Sequence, residues 1–143
     1  MGGITGEREE SKMELLNIIA VIGVLLIVNG IFLTQKQYQT AKVDKEMRAA
    51  DEDIICGNYK GLLGLNDTQI WLSTNRKGVI SRACAVRAGM FRMAKIQEVD
   101  LCGEDIHTMD TTVLNLSENI RRACRVAQVN NERFERRQKR KCK

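Results

Sequence analysis

Five cysteines and a single histidine have the widest chemical repertoire in this 143-residue chain. Cys56, Cys84, Cys102, Cys124, Cys142 and His107 together raise the question of a zinc or haem centre. Such centres need close ligand pairs, such as Cys-x-x-Cys, His-x-x-x-His or Cys-x-x-Cys-His, and none of these spacings occurs. His107, between Asp105 and Asp110, therefore reads as a surface histidine. Cys102 and His107 are close in sequence, but nothing marks either as half of an activated thiol–imidazole pair. The acids Asp51, Glu52 and Asp53 read as a solvated helix face. Gly57, Gly61 and Gly64 lack the Lys-Ser/Thr ending and the preceding strand of a phosphate loop. The expectation is a non-enzymatic chain without cofactor or metal.

The cysteines read better as staples. Cys84 and Cys124 lie on or beside the apolar faces of two expected helices, and Cys56 and Cys102 each precede a glycine at an expected helix end. The pairing expected is Cys56 with Cys102 and Cys84 with Cys124, leaving Cys142 free or cross-linked to a neighbour. Such usage suits an oxidising compartment.

A second chemical feature is the tail, where Arg133, Arg136, Arg137, Lys139, Arg140, Lys141 and Lys143 face one acid, Glu135. A run of this density can hold anionic lipid head groups or nucleic-acid phosphates, or it can be a solvated, disordered end.

The elements that would position these groups start with an uncharged stretch from Leu15 to Gln35. At a rise of about 1.5 Å per residue, about 20 such residues cross a bilayer core, so the chain reads as a single-pass membrane protein. The leader is acidic, the apolar run is long and no Ala-x-Ala follows it, which favours a retained anchor over a cleaved signal. Ser11, with Glu14 three residues on, has the form of a capping box for a helix starting near Lys12. Val43, Met47, Ala50 and Ile54 continue an apolar stripe, so one helix to about Ile55 is expected. From Val79 to Val99 the positions Val79, Ala83, Val86, Met90, Met93 and Gln97 fall at helical spacing. Cys102-Gly103 would end that helix, and a last helix would begin near Asp110 with the stripe Val113, Leu116, Ile120, Ala123, Ala127 and Phe134. Absence of proline and a 4% aromatic content support a mainly α fold. Its expected divisions are a polar leader at 1–12, a transmembrane helix at 13–35, an amphipathic helical extension at 36–56, a small α-helical domain at 57–132 and the basic tail at 133–143.

Glu14 to Leu25, reading Glu-Leu-Leu-Asn-Ile-Ile-Ala-Val-Ile-Gly-Val-Leu, resembles the amino-terminal helix of type IV pilins and pseudopilins. Tyr38-Gln39-Thr40-Ala41 is similar to that family's exit from the membrane. The resemblance covers residues 12–55 and implies a subunit drawn from the membrane into a filament whose core is a bundle of these helices. It implies that Glu14 pairs with the amino terminus of a neighbouring subunit, because an unpaired carboxylate in lipid is costly. The family's head is built on an antiparallel sheet, whereas residues 57 to 143 read as helical.

The sequence thus leads to an anchored structural subunit of a membrane or filament assembly. Membrane lipid and other subunits, or copies of itself, would be its partners. Asn17, Gly23, Asn29 and Gly30 are candidates, with Glu14, for helix packing inside the bilayer. Alternatives are a pilin-like filament subunit, a spanin-like phage lysis protein, and a cytosol-facing module whose basic tail binds nucleic acid or anionic lipid. Lys36, Lys42, Lys45 and Arg48 after the span favour a cytoplasmic carboxy-terminal side. The five cysteines and the glycosylation-type tripeptides at Asn66 and Asn115 favour an exported one, which is the expectation adopted.

Overall fold

The computed structural model of the protein describes residues 2–49, 53–62 and 66–142. A single helix, α1 (Gly2–Arg48), is followed by β1 (Asp53–Lys60), β2 (Asp67–Thr74), β3 (Ile80–Gly89), β4 (Arg92–Val99) and α2 (Glu118–Lys141). The strands form one antiparallel sheet in the order β1-β2-β3-β4, so β1 and β4 are its edges. In β2, Ile70 and Leu72 point to one face and Trp71 to the other, as strand alternation dictates.

Both faces are covered. The carboxy-terminal part of α1 lies along β4 and over β3 and β2, where Val43 and Met47 pack with Trp71, Cys84, Val86 and Ala94. On the opposite face α2 lies over β1 and β2, and Ile120, Ala123, Cys124 and Ala127 meet Ile70 and Leu72. The segment between β4 and α2 completes that layer with Leu101, Ile106 and Met109. The head is therefore a helix–sheet–helix sandwich with two apolar cores.

This overturns the mainly α expectation: residues 57–132 hold most of a four-stranded sheet. The expected Val79–Val99 helix is β3, a two-residue turn at Met90-Phe91, and β4. Its helical spacing is incidental, because a strand packed on both sides shows small apolar residues in succession, here Ala83, Cys84, Ala85 and Val86. The turn also lacks an Asn-Gly signature, since Phe91 itself takes the left-handed conformation at φ 57°. Gly103 sits at φ 89° in a turn, not at a helix end. Helix α1 stops at Arg48 rather than continuing to 56, and Ile54 and Cys56 reach the same core from β1. Residues 2–12, the expected polar leader, are part of α1, which leaves Ser11 inside the helix instead of at its start. The last helix starts at Glu118 and runs to Lys141, so the basic tail is helical over residues 133–141. Ala50, Asp51, Glu52 and Gly64 lie outside the described residues.

Close approach of α2 to β1 depends on Gly57. A Cβ there would collide with the Ala123 carbonyl and stand 2.9 Å from Ala127 Cβ. Side-chain amides meet both edges of the sheet. Gln35 of α1 accepts from Ala94 N–H at 2.6 Å and donates to Ala94 C=O at 3.2 Å, while Asn130 Nδ2 of α2 donates to Cys56 C=O at 3.0 Å.

Candidate membrane and assembly site

Helix α1 has two environments. Leu15, Leu16, Ile18, Ile19, Val21, Ile22, Val24, Leu25, Leu26, Ile27, Ile31 and Leu33 are all between 47% and 67% exposed. No residue of the most apolar window is buried, and the helix is long and apolar enough to cross a membrane. A bare apolar surface of this extent requires lipid or protein around it. An all-apolar helix can enter lipid because its backbone groups bond within the segment.

Beyond Thr34 the helix turns polar and is fastened to the head. Lys36 forms an ion pair with Asp67, whose side chain is 8% exposed, and Gln35 holds Ala94. Further along, Trp71 Nε1 donates to Asp44 at 3.2 Å, and Asp44 also receives Arg48. Lys36 and Asp44 stand about two turns apart, beside the face that carries Val43 and Met47. The free and docked parts of α1 thus meet near Leu33–Lys36.

Of the residues expected to serve assembly, Glu14 and Asn17 are exposed on the free part of α1, while Gly23 is half-buried with open space beyond it. Gly30 is exposed and its carbonyl accepts from Thr34 Oγ1 at 2.9 Å. Asn29 differs: with Phe32, Leu33 and Lys36 it lines a cleft of about 220 Å³ closed by Lys60, Asp67 and the β3–β4 turn. The five do not form one site within a single chain. Among the described residues, Glu14, Asn17, Gly23 and Gly30 lie on the part of the helix that no other element of the chain covers, whereas Asn29 faces the head.

The expected disulfides do not form; all five cysteines are free. Cys84 faces α1 and Cys124 packs under α2, so the sheet stands between them. Cys56 and Cys84 flank Trp71 across two strand spacings, roughly 10 Å, beyond disulfide reach. Cys102 is exposed while Cys56 is half-buried against the α1 face. Burial alone pushes the Cys124 thiol up to about 12, and burial is the main cause raising Cys84 and Cys56. Those three are packing residues rather than nucleophiles. Cys142 is exposed at the end of α2. Arg133, Arg136, Arg137, Lys139, Arg140 and Lys141 are exposed on the last turns of that helix, and Lys143 lies outside the described residues.

Sequence reasoning missed the setting of His107. Its Nδ1 lies 2.9 Å from Asp105 Oδ1 and its Nε2 lies 2.6 Å from Glu135 Oε1, joining the segment before α2 to α2 itself. Hydrogen bonds to Glu135 first, then Asp105, raise the imidazole above its ordinary value, and the bond to His107 holds the Glu135 carboxyl below its own. His107 and Glu135 border a cleft of about 390 Å³ at the end of the sheet remote from the free part of α1. Proximity of an acid in the final helix was the available signal, but it is visible only after folding. Among the described residues no group of three or more His, Cys, Asp or Glu is placed to hold a metal ion.

Comparison with family models, curated proteins and solved structures finds no match.

Proposed function

We propose that the protein is a membrane-anchored structural subunit of pilin-like type, which assembles with copies of itself through the free part of α1. The observation that carries this reading is the division of one continuous helix into an exposed apolar part and a part built into an antiparallel sheet. A sheet-bearing head is also what the resemblance of residues 12–55 implies. No catalytic role is proposed, because the polar clusters of the head are engaged in tethering elements to one another.

In this reading residues 13–35 lie in lipid and the head stands outside the cytoplasm. That placement rests on the pilin resemblance and on the exposed Asn66 and Asn115. The cysteines no longer support it, since none is placed to pair within the chain. Exposed Cys102 and Cys142 test it directly: a membrane-impermeant maleimide should label them in intact cells, and labelling only after lysis would reverse the orientation.

Assembly is tested by chemical cross-linking of the full chain in its native membrane. Wild type should give a ladder of multimers, and Glu14→Ala should collapse it towards monomer while leaving membrane association intact. An unchanged ladder would remove Glu14 from the assembly mechanism, and no ladder in wild type would reject the subunit reading.

A further inference from the structure

We propose that the end of the head nearest the free part of α1 is a lipid-docking surface, which seats the β3–β4 turn in the head-group layer of an anionic membrane. The proposal rests on the reading of α1 as a membrane anchor and adds a second membrane contact to it.

Register places this surface. Lys60, Asp67 and Ala88 lie in one row across β1, β2 and β3, so the β1–β2 and β3–β4 connections leave the sheet at the same end. That end faces the boundary of the apolar span, because Gly89 and Met90 share a cleft with Asn29, Phe32 and Leu33 of α1. If α1 is immersed as far as Leu33, the turn stands level with its last immersed turn and must meet lipid.

Its chemistry suits that position. Met90 and Phe91 at the tip are 42% and 43% exposed, Met93 is 61% exposed, and Leu62 in the other connection is 83% exposed. Phe91 holds a left-handed backbone conformation, at φ 57°, that a bulky residue seldom adopts, and it does so at the apex of the tip. Around this apolar patch stand Lys60, Arg87, Arg92 and Lys95, none of which has an ion-pair partner among the described residues. The acid at this end, Asp67, is turned inward and paired with Lys36. Apolar side chains ringed by unpaired cations fit an anionic interface: the tip enters the boundary between head groups and acyl chains, and the cations take the phosphates.

The occupant is thus the phospholipid layer that already holds α1. Its consequence is orientational. A head fixed at both α1 and the β3–β4 tip cannot swing freely about the helix axis.

Tryptophan quenching by brominated phospholipid tests this with the full chain reconstituted in phosphatidylcholine/phosphatidylglycerol vesicles. Trp71 is buried and common to all variants, so differences report the introduced residue. Phe91→Trp should be blue-shifted and quenched by lipid brominated near the head group. Arg76→Trp, at the opposite end of the sheet, should be neither. Replacing Lys60 and Arg92 by Gln in the Phe91→Trp chain, or raising salt, should remove most of that quenching, as should vesicles of phosphatidylcholine alone. Leu25→Trp separates the two readings. If Leu25→Trp is quenched and Phe91→Trp is not, docking is wrong and the anchor stands; if neither is quenched, both fall. A blue-shifted but unquenched Phe91→Trp would assign the tip to a protein neighbour and overturn the proposal.

Discussion

His107 is held between two carboxylates, and the clamp it makes works within a bounded pH range. Its folded pKa is raised from 6.5 by its bonds to Glu135 and Asp105, so its contribution is complete below 6.5 and lost as pH rises through the higher folded value. Glu135 is lowered from 4.5, so its contribution is lost as pH falls through its depressed value. The clamp therefore holds from the acidic side of 4.5 to above 6.5. Because the imidazole is 41% exposed, solvent screening keeps the gain small. The His107 ring protons followed by NMR should titrate above 6.5, and Glu135→Gln should bring the midpoint back down. Gly57 belongs to the same scale: Gly57→Ala forces α2 off β1 and should cost about 1–3 kcal/mol by denaturant unfolding. Gly103→Ala, where a Cβ meets open space but φ is 89°, separates backbone strain from the clash at Gly57.

Among the elements, α1 is the one divided between an exposed apolar part and a part docked on the head, and the Lys36–Asp67 pair stands at the junction. Among the described residues Asp67 Oδ1 has no hydrogen-bond partner, so Lys36→Met would leave a nearly buried charge uncompensated. The expected loss is about 2–4 kcal/mol in detergent, and Asp67→Asn, which removes the charge itself, should cost less. Denaturant unfolding of both variants checks the order. This helix was legible in sequence because an uncharged run and the stripe Val43–Met47 agree with one period. The sheet was not. Ala83, Cys84 and Ala85 favour neither period when both faces are covered, and an Ala-rich segment with scattered Met copies a helical face. Ile120, Ala123 and Ala127 were recognised as one buried stripe, but Val113 and Phe134, read as part of it, are 80% and 60% exposed. The clefts beside Asn29 and His107 join residues far apart in the chain, and no local spacing foretells them.

For the whole molecule, the division of labour is between a head with its own cores and a free helix with none. Both cores draw on Val43 and later residues. A chain starting at Thr34 keeps every tether from Gln35 to Asp44 and should sediment as a folded, detergent-free species, whereas the full chain should require lipid or detergent. A head that aggregates without residues 2–33 would show that the apolar helix supports it structurally. Solubility of this kind would also confine self-association to α1, where Glu14 and Asn17 are exposed.

In the proposed membrane assembly, the amides at the two sheet edges bear on what happens when many copies crowd one bilayer. An open strand edge is a template for another strand, and chains held in two dimensions meet edge to edge far more often than chains in solution. Gln35 occupies the hydrogen-bonding groups of Ala94 on β4, and Asn130 occupies the Cys56 carbonyl on β1. Each plug is supplied by a helix on a different face, so undocking one helix opens only one edge. Gln35 also stands a single residue before Lys36, so the contact that ties α1 to the head doubles as a guard against cross-β conversion. A subunit whose anchor helix came loose would gain a sticky edge at the moment it lost its proper orientation, which makes partial unfolding at α1 the dangerous failure and unfolding at the far end of α2 a benign one.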